Sequence, residues 1–265
     1  MSERPTRATL QHGVTGAGSD HRESDEQVTR AAPFLYEPAP DFEARSTMGP
    51  VASRDYRGRW LLFFSHPADF TPVCTSELIA FAKAAPRFEA LNCALLALSI
   101  DGLYSHLAWL HSIKANFDID IPFPVVEDPS MAIARAYGML PPRAVSSSTV
   151  RGMFLIDPEG IVKAITWYPI STGRSVEEAL RLVQAVSMTY QEALYAPADW
   201  QPGAPGVVAP PKTIADATQR KDEDGAADWY YQTRPTRIAP ADATAVGGHA
   251  AAARTGARGR HREGK

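Results

Sequence analysis

One cysteine of this chain stands where an apolar strand gives way to a helix. The run from Trp60 to Phe64 predicts a buried strand, and the string Thr71-Pro72-Val73-Cys74 follows shortly after it. Thr is a favourable N-cap residue and Pro suits the first helical position, so Cys74 falls in the first turn of the predicted helix. Free N–H groups and the positive end of the helix dipole favour thiolate over thiol there. The context therefore indicates a nucleophilic cysteine.

A threonine hydroxyl accompanies this cysteine. Pro72 disfavours the helical conformation of the residue before it, so we expect the Thr71 hydroxyl to turn back toward the first turn, where it can touch the sulfur. A competing interpretation treats Cys74 as a small buried hydrophobe, which is the commonest role of a lone cysteine. That role needs no capped helix start after a strand-ending loop, so the surroundings of Cys74 favour the nucleophile.

The wider stretch resembles a known family. Pro67-x-x-x-Thr71-x-x-Cys74 is similar to the peroxiredoxin signature, and the string from Ser65 to Leu78 resembles the 1-Cys, peroxiredoxin-6-like branch. The resemblance covers roughly residues 33–235. It implies that Cys74 is the peroxidatic nucleophile, that Thr71 acts beside it, and that Pro67 shields the sulfur from bulk water.

Two further residues enter through the resemblance. Cleavage of a peroxide O–O bond puts negative charge on the departing oxygen, and an arginine is a suitable donor because its planar fork stays charged. The sequence offers many arginines, and the family pattern selects Arg151, at the start of the apolar run Arg151-Gly152-Met153-Phe154-Leu155. His66 either hydrogen-bonds near the thiolate or packs beside the loop; the histidine carried by the branch at this position favours the first.

The resemblance implies a thiol peroxidase. Cys74 would reduce hydrogen peroxide or an organic hydroperoxide, become a sulfenic acid and be restored by an external thiol, with no cofactor or metal and as a homodimer or larger homo-oligomer. A rival hypothesis is a redox-sensing or chaperone protein switched by oxidation of Cys74. A lipid hydrolase is disfavoured, because the Gly-x-Ser-x-Gly elbow of some branch members is replaced by Gly58-Arg59-Trp60-Leu61, which has no serine.

We expect the remaining cysteine and two histidines to have structural roles only. Cys93 begins the apolar run that ends at Ile100, and we expect a packed strand residue rather than a resolving thiol. Two cysteines exclude a disulfide framework and a zinc site built of cysteines, and they agree with a reducing compartment. His106 and His111 are expected to be solvated or partly packed, and their spacing does not favour a metal site.

Composition bounds the remaining possibilities. A net charge of -3 excludes a strongly basic nucleic-acid binder, and 45% hydrophobic residues suffice for a large core. No apolar run approaches the roughly 20 residues needed to cross a bilayer, and the N-terminus is polar. We therefore expect a cytoplasmic protein that has no membrane partner and no specific nucleic-acid partner.

The order of predicted elements indicates an α/β fold, a thioredoxin-like sandwich with a mixed central sheet and a small C-terminal domain. Each element is located by an apolar run, a cap or a turn signal. The predicted elements are an opening strand at 39–44, a turn at 55–59, the strand at 60–64, the Cys74 helix to about Ala84, a strand at 94–100, a helix at 103–115, a strand at 121–126, a helix at 131–137 capped by Ser130, a hairpin at 153–165 and a helix from the capping box Ser175–Glu178 to about Leu194.

Composition also predicts the domain boundaries. Residues 1–32 are polar and without apolar periodicity, which is typical of a disordered extension. Residues 33–194 form the thioredoxin-like domain, and the proline-rich residues 195–237 resemble the small C-terminal domain of peroxiredoxin-6-like proteins. Residues 238–265 are rich in Ala, Gly and Arg and are expected to be a disordered basic tail.

Overall fold

A computed structural model describes residues 32–140, 146–221, 223 and 226–238. The strands are β1 (Glu43–Ser46), β2 (Gly49–Ala52), β3 (Trp60–Ser65), β4 (Cys93–Ser99), β5 (Val125–Glu127), β6 (Arg151–Ile156), β7 (Val162–Tyr168), β8 (Leu194–Tyr195), β9 (Gly206–Val208), β10 (Ala226–Asp228) and β11 (Tyr231–Arg234). The helices are α1 (Pro72–Ala90), α2 (Leu103–Phe117), α3 (Ala132–Ala136), α4 (Val176–Glu192) and α5 (Ile214–Lys221). Except for their inner ends at Ala32 and Ile238, the two predicted disordered extensions lie outside the described residues.

Strands of both directions share one central sheet. Within the described residues it has seven strands in the order β2-β1-β5-β4-β3-β6-β7. Strands β3, β4 and β5 run parallel, whereas β6 pairs antiparallel with β3 and β7 antiparallel with β6. The predicted mixed α/β fold is confirmed.

The two central strands are buried on both faces, as continuous apolar runs predict. Leu62 and Phe64 pack against α1, α2 and α4, while Leu61 and Phe63 pack on the opposite side with α3. Every residue of β3 and β4 is buried. This rigid centre fixes the end of β3, from which the Cys74 loop departs.

The elements around this centre differ in detail from the predictions. α1 ends at Ala90 rather than near Ala84; it runs through Pro86, and Phe88 is fully buried in the core. The strand predicted at 121–126 is reduced to Val125–Glu127, because Pro122 and Pro124 cannot donate ladder hydrogen bonds. The opening segment is a hairpin of β1 and β2 that begins at Glu43.

The predicted hairpin and the last predicted helix are confirmed. β6 and β7 pair antiparallel across a turn in which Gly160 N–H donates to the carbonyl of Asp157 at 2.8 Å. Gly160 adopts φ +80°, which only glycine takes without strain. Ser175 caps α4 by accepting a hydrogen bond from Glu178 N–H.

The C-terminal segment forms a second sheet. Four strands lie in the order β10-β11-β9-β8, and α5 lies between β9 and β10 in the chain. Met188 of α4 packs with Leu194 and Trp200 in a small apolar cluster. The boundary at residue 195 remains a prediction. None of the described helices is long and apolar enough to span a membrane.

Candidate active site

The loop between β3 and α1 carries the candidate site. β3 ends at Ser65, α1 begins at Pro72, and Thr71 occupies the N-cap position with an extended backbone, φ -98° and ψ 148°. Pro72 favours this arrangement, because the residue before a proline avoids the helical region. Cys74 is consequently the third residue of α1, in its first turn, as predicted.

Arg151 contacts the sulfur of Cys74. Arg151 Nη1 lies 3.3 Å from Cys74 Sγ, and both side chains are buried. The contact exists because β6, which begins at Arg151, pairs with β3, whose end leads to the cysteine loop. Arg151 Nε and Nη2 also donate to the carbonyl oxygen of Ile170, at 3.2 and 2.7 Å. These hydrogen bonds fix the guanidinium group with Nη1 against the sulfur.

Glu77 and Arg174 complete this buried network, and sequence reasoning missed both. Glu77 Oε2 accepts hydrogen bonds from Arg151 Nη1 at 2.7 Å and Arg174 Nη2 at 2.8 Å. Glu77 Oε1 accepts from the backbone N–H and Nε of Arg174, at 2.7 and 2.8 Å. Burial alone would raise the pKa of Glu77, but the hydrogen bonds and charge of Arg174, with the charge of Arg151, hold it below its usual value. Glu77 is thus an ionised carboxylate that orients Arg151.

The Thr71 hydroxyl does not turn toward the first turn as expected. Thr71 Oγ1 donates to the carbonyl of Ala68 at 2.9 Å and makes no capping hydrogen bond to the start of α1. The extended backbone ahead of Pro72 places the hydroxyl over its own loop. Thr71 therefore closes the loop, and its backbone carbonyl accepts from Thr75 N–H and Oγ1, at 3.0 and 2.8 Å.

His66 and Pro67, the first residues of the loop, are both buried. His66 Nε2 lies 2.9 Å from Asp69 Oδ1, while His66 Nδ1 has no hydrogen-bond partner among the described residues. Burial lowers the pKa of His66, against the opposing effect of Asp69. His66 therefore pairs with a carboxylate of its own loop, an arrangement that neither sequence interpretation specified.

The expectation for His106 is wrong. His106 is fully buried, with Nδ1 2.8 Å from Asp69 Oδ2 and Nε2 3.3 Å from the carbonyl oxygen of Val126. Its partner Asp69 lies 37 residues away in the chain, so the helical spacing of α2 carried no signal of this contact. His111 is exposed, as expected.

Cys93 is a packed residue of β4, as predicted. Its side chain is buried, and burial raises its pKa to about 12. Both cysteines are free thiols. A thiol of this kind stays protonated and is a poor nucleophile at neutral pH.

Comparisons with known proteins show which family the chain resembles. Residues 35–165 match the AhpC/TSA family. Peroxiredoxin 2 of Caldanaerobacter subterraneus subsp. tengcongensis is 44% identical over 212 residues, which cover 78% of this chain and 96% of that protein. Among solved structures, a yeast mitochondrial 1-Cys peroxiredoxin is similar with a TM-score of 0.69 and 32% identity, covering 76% of this chain and 99% of that one. A mutant of peroxiredoxin 6 from Arenicola marina gives a TM-score of 0.66 and 32% identity, covering 76% of this chain and 98% of that one.

These similarities confirm the thioredoxin-like fold and extend over most of the chain. The identity to Peroxiredoxin 2 spans nearly the full length of that relative. Peroxiredoxins reduce peroxides with electrons from thiols. The chain belongs to the peroxiredoxin family and is a thiol peroxidase.

Proposed function

We propose that the protein reduces peroxides through a one-cysteine cycle at Cys74. The observation that carries the proposal is the 3.3 Å contact between Arg151 Nη1 and Cys74 Sγ at the first turn of α1. A guanidinium group and a helix N-terminus both stabilise the negative charge of a thiolate. The same cation lies close to where charge develops on the departing peroxide oxygen.

The chemistry balances without a cofactor. The Cys74 thiolate attacks the terminal oxygen of a hydroperoxide, the S–O bond forms as the O–O bond breaks, and the alkoxide or hydroxide leaves and takes up a proton. The resulting sulfenic acid condenses with an external thiol to a mixed disulfide and water, and a second thiol releases the reduced enzyme.

An external thiol is favoured because Cys93 is a poor resolving group. It is buried in β4, and its pKa is raised to about 12 by that burial. A resolving cysteine must reach the sulfenic acid and react with it, and a strand in the middle of the sheet gives Cys93 little freedom to do so.

Thr71 and Pro67 are proposed to shape the pocket that receives the peroxide. A hydroxyl has one proton and two lone pairs, and Thr71 uses its proton on the carbonyl of Ala68. The lone pairs are then available to accept the O–H of an incoming hydroperoxide. Buried Pro67 excludes water from the sulfur, and His66 supports the loop through Asp69.

We also propose that the protein works as a homodimer in the cytoplasm. Exposed Phe70 and Phe117, with buried Trp109, line an apolar groove beside Thr71, and such a surface suits a second copy of the chain. Two free thiols persist best in a reducing compartment. Analytical ultracentrifugation tests the assembly, and a purely monomeric species at micromolar concentration would contradict it.

The decisive experiment is one stopped-flow reaction with hydrogen peroxide followed by intact mass measurement. We expect fast oxidation, a product heavier by one oxygen atom, and repeated turnover when dithiothreitol is added. Slow oxidation without turnover would favour the redox-sensing or chaperone hypothesis. An intramolecular disulfide between Cys74 and Cys93 would contradict the one-cysteine cycle.

A further inference from the structure

His106 faces a hydrogen-bond acceptor with each of its ring nitrogens. Nδ1 lies 2.8 Å from Asp69 Oδ2, and Nε2 lies 3.3 Å from the carbonyl oxygen of Val126. A neutral imidazole has a single N–H and can satisfy only one of these acceptors. Both contacts can be hydrogen bonds only if each ring nitrogen carries a proton. A ring with two protons is an imidazolium.

Asp69 supplies the balancing charge. It accepts from His66 Nε2 at 2.9 Å as well as from His106, so both carboxylate oxygens are occupied. Burial would raise the pKa of Asp69, but the hydrogen bonds from His106 and His66 hold it well below its usual range. His66 has one such partner and needs only one proton. The three side chains then carry one negative and one positive charge, which is how buried charges are normally accommodated.

This pair connects the cysteine loop to the neighbouring elements. His66 and Asp69 belong to the loop before Cys74, whereas His106 belongs to α2. Asp69 N–H also donates to Asp101 Oδ2 at 3.0 Å, ahead of α2. On the β5 side, Glu127 accepts from Leu103 N–H and pairs with Arg45, so the charged groups around His106 are themselves paired.

The closed loop buries Cys74 completely. Hydrogen peroxide is small, but a thiol that attacks the sulfenic acid is bulkier and must approach the sulfur in line with the S–O bond. The loop must therefore open before resolution. We propose, on the basis of the one-cysteine cycle proposed above, that the buried Asp69–His106 ion pair is a latch that holds the Cys74 loop closed and sets how readily an external thiol reaches oxidised Cys74.

The test compares His106→Gln with His111→Gln, both in a Cys93→Ser background. His111 lies on the same helix and is exposed, so it controls for changes to α2. The interaction free energy that is lost when a buried charge pair is broken is larger than the free energy needed to raise the open population of the loop tenfold. We expect His106→Gln to react about tenfold or more faster than the control with a bulky maleimide and, once oxidised, with dithiothreitol.

The rate of oxidation by hydrogen peroxide distinguishes the loss of the latch from a general disruption of the active site. If the open state stays a minority, the closed population hardly changes, and oxidation by hydrogen peroxide should slow by less than about threefold. Equal maleimide and dithiothreitol rates in the two variants would overturn the latch. Maleimide labelling does not depend on peroxidase activity, so a wild-type enzyme that fails to turn over would contradict the one-cysteine cycle separately.

A second variant and a direct observation keep the proposal testable if His106→Gln does not fold. Asp69→Asn removes the negative charge and should also accelerate maleimide labelling about tenfold. In ¹⁵N-labelled wild-type protein at pH 7, we expect His106 to give the imidazolium signature, with two ring N–H groups, and a neutral ring would overturn the proposal.

The remaining alternative to a charged pair is a metal ion bound by the same three side chains. The ligand atoms of His66, Asp69 and His106 lie within 4.8 Å of one another, which is close enough to hold an ion. Elemental analysis of the purified protein decides between an ion and a proton. About one equivalent of zinc that a chelator removes would overturn the charged pair, and metal-free protein with the imidazolium signature would support it.

Discussion

At the scale of single residues, the two cysteines should behave in opposite ways. Cys74 has a helix start and Arg151 beside its sulfur, whereas Cys93 is a packed strand residue with a pKa of about 12. We expect Cys74→Ser to abolish peroxide turnover and Cys93→Ser to retain it within about twofold, because Cys93 pairs with Trp60 at the end of β3 away from the cysteine loop. A thiol-dependent peroxidase assay measures both. Equal loss in both variants would show that Cys93 resolves the sulfenic acid.

Arg151 is the second residue whose removal should be specific. Arg151→Ala removes the donor next to Sγ, and the loss of one such donor costs roughly 3 to 4 kcal/mol of transition-state stabilisation, or about two to three orders of magnitude in rate. The peroxide step is measured by stopped flow. Arg135→Ala, an exposed arginine on α3, is the matched control and should keep the wild-type rate. An unchanged rate in a folded Arg151→Ala protein would mean that another group stabilises the departing oxygen.

The residues that sequence reasoning found and missed differ in how local their signals are. Thr71, Pro72 and Cys74 were found because capping rules act within one turn. Glu77 lies three residues after Cys74 in α1, so its position on the same helix face was readable but was not used. Arg174 meets Glu77 across 97 residues of chain, and only the folded sheet brings them together.

At the scale of elements, Glu77 joins α1 to β6 and to the segment that precedes α4. It pairs with Arg151 and Arg174, and all three side chains are buried. Glu77→Gln leaves two buried cations without their counter-charge, so we expect a loss of about 3 to 5 kcal/mol in the free energy of unfolding. Glu89→Gln, on the exposed end of α1 beside Arg59, should lose less than about 1 kcal/mol. Urea unfolding measures both, and equal losses would contradict the buried network.

The predicted elements show the same division between local and distant causes. The β6–β7 hairpin and the Ser175 cap follow from turn and capping chemistry, and both are present in the structure. The length of α1 depends on tertiary context, whereas the shortening of β5 has a local cause. Phe88 in the core extends the helix past Pro86, and the prolines of 121–126 remove donors from the strand.

At the scale of the whole molecule, the buried histidine of the cysteine loop makes stability depend on pH. Burial lowers the pKa of His66, so the folded state keeps this ring neutral at a pH where the unfolded chain protonates it. Below the usual value of about 6.5, the unfolded state binds more protons, and the free energy of unfolding must fall as pH falls. The contribution of His66 is lost at up to about 1.4 kcal/mol per pH unit.

A substitution isolates this contribution from the other titrating groups. We expect the free energy of unfolding to fall less steeply between about pH 6.5 and 5 in His66→Gln than in wild type, because glutamine does not titrate. His111→Gln, at an exposed histidine of α2, is the control for the loss of one histidine from the chain. Below about pH 4, wild type and His66→Gln should both lose further stability. The partners of Asp69 and Glu77 lower the pKa values of these carboxyl groups in the folded protein, so the groups become protonated first in the unfolded chain. Identical slopes for wild type and His66→Gln in urea titrations would show that His66 is charged in the folded protein. The assignment to His106 of the one positive charge in the cluster of His66, Asp69 and His106 would then be wrong.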